Sequence, residues 1–189
     1  MTPEQALNRL IAGNARYVAG TTQQTGVTKA LRTELCEQGQ KPYVAVVSCS
    51  DSRVPVELVF DTGPGELFVI RTAGNVVGSL EMGSLEYGIK HLKVPLVVVL
   101  GHQKCGAVKA AVDGGEHSSD IESILQEIRP AIPSSFVGDL YAESEDANAR
   151  HVVSKITGNP NIQAACTEGA VRFVAAKYSL ETGKVSFFE

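Results

Sequence analysis

No apolar run in the 189-residue chain approaches the roughly 18 to 20 residues of a membrane helix, which excludes a helical span. No cluster or stripe of lysine and arginine is present either. Seventeen basic residues against 21 acidic ones leave a net charge of −4, so nucleic acid and anionic membrane surfaces are excluded as partners. The opening Met1-Thr2-Pro3-Glu4-Gln5 lacks a basic segment followed by an apolar core, and no signal peptide is expected. Cysteine is sparse: Cys36, Cys49, Cys105 and Cys166 are too few to staple a chain of this length, which points to a reducing, cytoplasmic setting. The chain has no G-x-S-x-G, no G-x-x-x-x-G-K-[ST] and no N-x-[ST], so a hydrolase elbow, a phosphate-binding loop and a glycosylated surface find no support.

What is present is an ordinary globular composition, 43% hydrophobic and 20% charged, with no repeat, low-complexity tract or linker. One domain over residues 1–189 is expected, divided into a helical arm (1–40) and an α/β core (41–189). Thr2 reads as a helix N-cap, with Pro3 at the first helical position and Gln5 completing a capping box. Leu7, Leu10, Ile11 and Val18 then form an apolar stripe over 3–18. Residues 20–27 are turn-rich, and a second helix is predicted over 28–38. With no strand of its own, this stretch must lie across the main body or across a partner chain.

Three short apolar runs follow, Tyr43–Val47, Leu67–Ile70 and Leu96–Leu100. They are β-branched and lack polar alternation, as strands buried on both faces of a parallel sheet do. A helix over 78–92 is expected to turn Leu80, Leu85, Ile89 and Leu92 toward that sheet. Further helices are predicted over 105–112 and 119–129, and an exposed amphipathic one over 138–154. Ala170–Tyr178 and Val185–Phe188 read as strand, turn and strand. The fold class is α/β, a mostly parallel central sheet flanked by helices.

Two segments stand out by their position. Cys49-Ser50-Asp51-Ser52-Arg53 follows the first strand, and Gly101-His102-Gln103-Lys104-Cys105-Gly106 follows the third. Ligands of open parallel sheets sit beyond the carboxyl ends of strands, where strand order reverses. If these strands are neighbours, Cys49, His102 and Cys105 converge, and two thiolates with one imidazole match a catalytic zinc site with one open position. Cys105 at a helix N-terminus would have its thiolate favoured. Each cysteine alone also reads as a small buried hydrophobe. Asp51 and Arg53 read either as a surface ion pair or as a carboxylate near the metal gripped by a guanidinium. Cys36 and Cys166 are expected to be packing residues.

The segments CSDSRVP (49–55), GELFVIRTAGN (65–75), EYGIKHLKVP (86–95) and GHQKCGAV (101–108) resemble those of the β-class carbonic anhydrases in order, spacing and identity. AAKYSLETGKV near the C-terminus resembles them more loosely. The resemblance implies one zinc ion per chain on Cys49, His102 and Cys105, with Asp51 and Arg53 as a catalytic dyad. It implies reversible hydration of CO2 to bicarbonate and a proton through zinc-bound hydroxide. By position, Gln40 matches a glutamine that donates to substrate, Phe68 and Tyr87 match the pocket lining, and His91 matches a proton-shuttle position. It also implies that some of these come from a neighbouring subunit, so that the helical arm packs on that subunit in a homodimer, with a tetramer open. One branch of the family uses a Trp–Arg–Tyr set to bind bicarbonate away from catalysis. The absence of tryptophan, with Gln40 present, places this chain with the branch whose zinc keeps an exchangeable water. The competing readings are a carbonyl sulfide or carbon disulfide hydrolase of the same fold, a non-catalytic zinc or bicarbonate sensor, and a thiol enzyme with Cys49 as nucleophile and His102 as base.

Overall fold

The computed structural model describes residues 1–23, 27–166 and 171–188. Residues 24–26 of the turn-rich reading and Ala170 of the strand reading lie outside them. Helix α1 (Pro3–Ala19) begins on the expected capping box: Gln5 N donates to the Thr2 hydroxyl at 3.2 Å, and Thr2 N donates to Gln5 Oε1 at 2.8 Å. Its buried face is Ala6, Leu7, Leu10, Gly13 and Asn14, whereas Ile11 and Val18 are exposed. The stripe is thus turned from the one the apolar residues suggest. A close approach dictates this. The α1 backbone at Gly13 lies so near that of Phe60 that a Cβ there would sit 2.0 Å from the Phe60 carbonyl oxygen.

Helix α2 (Lys29–Gln38), capped by Thr28, buries no residue in this chain. After it come β1 (Val44–Cys49), a single turn α3 (Val56–Val59) that no sequence pattern announced, and β2 (Leu67–Thr72). A 3-10 turn at Ala73–Asn75 leads to α4 (Ser79–Lys90), then β3 (Leu96–His102), α5 (Gly106–Asp113) and α6 (Ser119–Ile128). Helices α7 (Leu140–Thr157) and α8 (Pro160–Ala165) precede the hairpin β4 (Arg172–Tyr178) and β5 (Val185–Phe188).

The sheet order is β2-β1-β3-β4-β5, with the first four strands parallel and β5 antiparallel to β4. Every residue of β1 and β3 is buried, because both faces of these central strands are covered. Val44, Val46, Val98 and Leu100 meet α1 and Phe60 on one face. Ala45, Val47, Val97 and Val99 meet α4, α7 and α8 on the other. A third cluster, containing Cys49, Val76, Cys105, Val108, Leu125 and Ile128, closes the carboxyl end of the sheet. The chain runs from β1 outward to β2, then crosses back to place β3 on β1's other side. The strand order therefore reverses between β1 and β3.

Helix α1 of the arm buries Ala6, Leu7 and Leu10 against its own chain's sheet. Three expectations are corrected. Leu80 is 80% exposed instead of facing the sheet; Leu85 and Ile89 do face it, with Leu92 partly buried alongside. Cys36 is exposed, since α2 has no buried face, while Cys166 packs beside the α4–α7 cluster as expected. The 138–154 helix, observed as α7, is not an exposed one. It packs on β3 and β4 through Ser144, Glu145, Asn148, Ala149, Val152 and Ile156, and the small and polar members of that face disguise it in hydropathy.

Candidate metal centre

Cys49 is the last residue of β1, His102 the last of β3, and Cys105 caps the N-terminus of α5. Because β1 and β3 are neighbours in register, Ser48 beside Leu100, their ends open into one crevice. Lys104, at φ 56°, turns the chain sharply enough to bring Cys105 back toward His102. The two Sγ atoms and a ring nitrogen of His102 lie within 4.8 Å of one another, and all three residues are buried.

The His102 ring is oriented by Nδ1, which donates to the Gln103 carbonyl oxygen at 3.0 Å. A carbonyl can only accept, so Nε2 presents its lone pair. Nε2 is buried and has no hydrogen-bond partner among the described residues. An unpaired buried acceptor between two sulfurs is what a zinc ligand looks like without its ion, and the donor set fits zinc.

The thiols share charge unequally. The Cys105 thiol, hydrogen-bonded to Cys49, lowers the Cys49 pKa to about 4 against the opposing effect of burial; His102 and the backbone amides of Asp51 and Gly74 add to the lowering. The Gly74 amide donates to Cys49 Sγ at 3.3 Å. Cys105 is pushed up by its hydrogen bond to Cys49 and by burial, although the Val108 and Ala107 amides at the start of α5 pull the other way. Burial disfavours the His102 imidazolium, but the Cys49 thiolate outweighs it and the His102 pKa is raised. A divalent cation held by Cys49, His102 and Cys105 would favour both sulfurs as thiolates, with release of the proton they otherwise share.

Asp51 stands at the rim, its Oδ2 3.9 Å from His102 Nε2. Arg53 holds it in a fork: Nε donates to Oδ1 at 2.9 Å and Nη2 to Oδ2 at 2.7 Å, and the Arg53 amide donates to Oδ1 at 2.9 Å. These contacts, the side-chain fork first, hold the Asp51 pKa down to about 2. Arg53 Nη2 also donates to the Lys104 carbonyl at 3.1 Å, tying the Cys49 loop to the Cys105 loop. Arg71, which the sequence reading passed over, donates from Nε to the Cys49 carbonyl at 2.9 Å and from Nη2 to the Asp51 carbonyl at 2.7 Å. Its only sequence signal is a cation ending an apolar strand at the same sheet edge as Cys49.

The remaining residues singled out in the sequence are not gathered here within one chain. Gln40 is exposed before β1, at the amino end of the strand whose carboxyl end holds Cys49. Phe68 is the second residue of the edge strand β2 and pairs with Ala45, not with the metal end. Its ring lies 6.2 Å from that of Tyr87, which lies 5.0 Å from that of His91, forming an aromatic row between β2 and the outer side of α4. Tyr87 is 48% exposed.

A family model described as carbonic anhydrase matches residues 44–185. Among curated relatives, a carbonic anhydrase of Mycolicibacterium smegmatis is 38% identical over 191 residues, covering 97% of this chain and 92% of that protein. Carbonic anhydrase 2 of Mycobacterium tuberculosis is 35% identical, covering 96% and 91%. Among solved structures, a tetrameric β-carbonic anhydrase from Sordaria macrospora superposes with a TM-score of 0.77 at 20% identity, covering 97% of each chain, which is a likeness of fold. With its Cys/His/Cys cluster at the β1–β3 crevice, and with this match over most of its length, the chain belongs to the carbonic anhydrases, in their β class.

Proposed function

We propose that this chain catalyses CO2 + H2O ⇌ HCO3⁻ + H⁺ at one zinc ion held by Cys49 Sγ, His102 Nε2 and Cys105 Sγ. The observation that carries this reading is the buried, unpartnered Nε2 between two sulfurs, with an ionised carboxylate 3.9 Å away. When bound, zinc supplies Lewis acidity, bringing the pKa of water from about 15.7 toward 7.

The protein's own groups do the rest. Asp51 Oδ2 accepts a hydrogen bond from the attacking water and turns that oxygen's free lone pair toward CO2. Arg53 keeps Asp51 ionised and swung back from the three donors, so the carboxylate orients the nucleophile without joining the ligand set. The structure of one chain leaves Gln40, Phe68 and Tyr87 away from this point, and we assign them to the site of a second copy. There the two rings would exclude water from an apolar substrate, and the Gln40 amide would donate to charge developing on the substrate oxygen. His91, beside Tyr87, would pass the released proton to buffer.

Support for a homodimer, extendable to a tetramer, lies in three features. β2 is an edge strand, α2 buries nothing in its own chain, and α4 exposes Leu80 and Tyr87 one above the other. The Sordaria macrospora relative is described as tetrameric. Within each copy we read residues 1–189 as one domain. A reducing, cytoplasmic setting accords with buried thiols kept as ligands. No helix among the described residues is long and apolar enough to cross a membrane.

Stopped-flow CO2 hydration on the purified chain, with metal content measured on the same sample, tests the assignment. One zinc per chain and hydration abolished by chelation and restored by zinc are expected. Activity indifferent to a chelator, or zinc retained in full by Cys49→Ser, would refute it.

A further inference from the structure

Next to the turns that carry the candidate metal centre, two polar side chains of α7 are buried almost completely. Glu145 and Asn148 are one turn apart, on one face of the helix. Glu145 Oε1 accepts from the Cys105 amide at 3.2 Å. Its other oxygen pairs with Lys177 of β4 at 2.9 Å, and Lys177 also reaches Asp146 at 2.8 Å and the Ala142 carbonyl at 2.9 Å. Asn148 Nδ2 donates to the Gly74 carbonyl at 2.9 Å, and the Gly74 amide is the one that donates to Cys49 Sγ. Gly74 holds φ 70°, and a Cβ there would fall 2.7 Å from Ile128 Cδ1, so this short turn packs closely against α6 and only glycine fits it.

A charge or an amide in a helix face that packs on a sheet is unfavourable unless it finds partners. Each of these side chains spends its one hydrogen bond on a different cysteine loop: Asn148 Oδ1 has no hydrogen-bond partner among the described residues, and Glu145 Oε2 has the ion pair with Lys177 alone. We propose that α7 sets the geometry of the metal centre: Glu145 and Asn148 are positioning residues, Glu145 holding the Cys105 side and Asn148, through Gly74, the Cys49 side. Lys177 anchors the brace to β4. This rests on the Cys/His/Cys reading above. Ser144, equally buried in the same helix, has no hydrogen-bond partner among the described residues and bonds to neither loop, which makes it the internal control.

The test uses the full chain stripped of metal and titrated with Co²⁺, reading affinity and the thiolate-to-cobalt charge-transfer band, with thermal melts of the metal-free proteins alongside. Glu145→Ala and Asn148→Ala are expected to weaken Co²⁺ binding about 10–100-fold and to shift the band. Glu145→Gln, which still accepts from the Cys105 amide but loses the ion pair with Lys177, should fall between wild type and Glu145→Ala, and Ser144→Ala should change neither readout. Where Glu145→Ala does not fold, Asn148→Asp, of the same shape but without the donor, carries the test and should behave as Asn148→Ala. Wild-type affinity and band in the position 148 variants overturn the brace, as does a loss in Ser144→Ala equal to theirs. A wild-type chain that binds no Co²⁺ overturns the metal-centre reading itself, and this inference with it.

Discussion

Asp51 and Arg53 are separated by one residue, yet their fork is held by three hydrogen bonds and tied across to Lys104. Removing the guanidinium frees the carboxylate and unties the two loops. Arg53→Ala is therefore expected to lower CO2 hydration about 10–100-fold, in stopped-flow assays, with folding retained. A second prediction concerns Tyr43, which lies far from the site. Its hydroxyl is buried and has no hydrogen-bond partner among the described residues, and burial raises its pKa to about 12. The unfolded phenol ionises near 10. Above that pH the unfolded state sheds its proton first, so stability is full below about pH 10 and falls as pH rises toward 12, by up to about 3 kcal/mol. Tyr43→Phe should flatten this decline in urea unfolding measured at pH 9, 10 and 11. It should equal or exceed wild-type stability at pH 7, since a buried hydroxyl without a partner is unfavourable. These residues differ in legibility. The dyad was readable from spacing beside Cys49, whereas the isolation of the Tyr43 hydroxyl depends on what surrounds it.

Among the elements, α1 shows how packing overrides an apolar stripe. Its register is set by contact at Gly13 and by Asn14, whose amide donates to the Val59 and Gly183 carbonyls while its oxygen accepts from Val185 N at 2.8 Å. Alanine is the better helix former by about 1 kcal/mol, but a methyl 2.0 Å from the Phe60 carbonyl cannot be housed. Gly13→Ala is expected to destabilise the fold by about 1–3 kcal/mol net in denaturant unfolding, against the helix-propensity trend. Caps and strands were legible because they obey local rules. The buried face of α7 was not: Ser144, Glu145 and Asn148 are polar, and the partners that Glu145 and Asn148 find on β4 and in the Gly74 and Cys105 turns lie far away in the chain.

In the whole molecule, the face proposed to meet a second copy runs along the edge strand β2 and the outer side of α4. Leu80 and Tyr87, seven residues apart, share one side of α4, and the Phe68–Tyr87–His91 row runs beside the sheet edge. A charge placed there should separate the copies. If the site is shared between copies as proposed, Leu80→Asp is expected to shift sedimentation toward a monomer that still binds one zinc but has lost CO2 hydration, because Gln40, Phe68 and Tyr87 would no longer reach a neighbour's centre. An active monomer would refute the shared site.

Most helices and strands, the parallel sheet and the residue types of the candidate metal cluster were determined by the sequence alone, since capping, β-branched runs and cysteine–histidine chemistry are properties of short segments; the short helices α3 and α8 were not among them. Which of those residues meet was decided by tertiary structure. Cys49 and His102 are 53 positions apart in the chain, and only the return of β3 to the free side of β1 brings their ends into one crevice. The same long-range closure chose which face of α1 is buried and lent α7's polar face to the centre, because hydrogen bonds and close contacts across the fold carry no signature in local hydropathy.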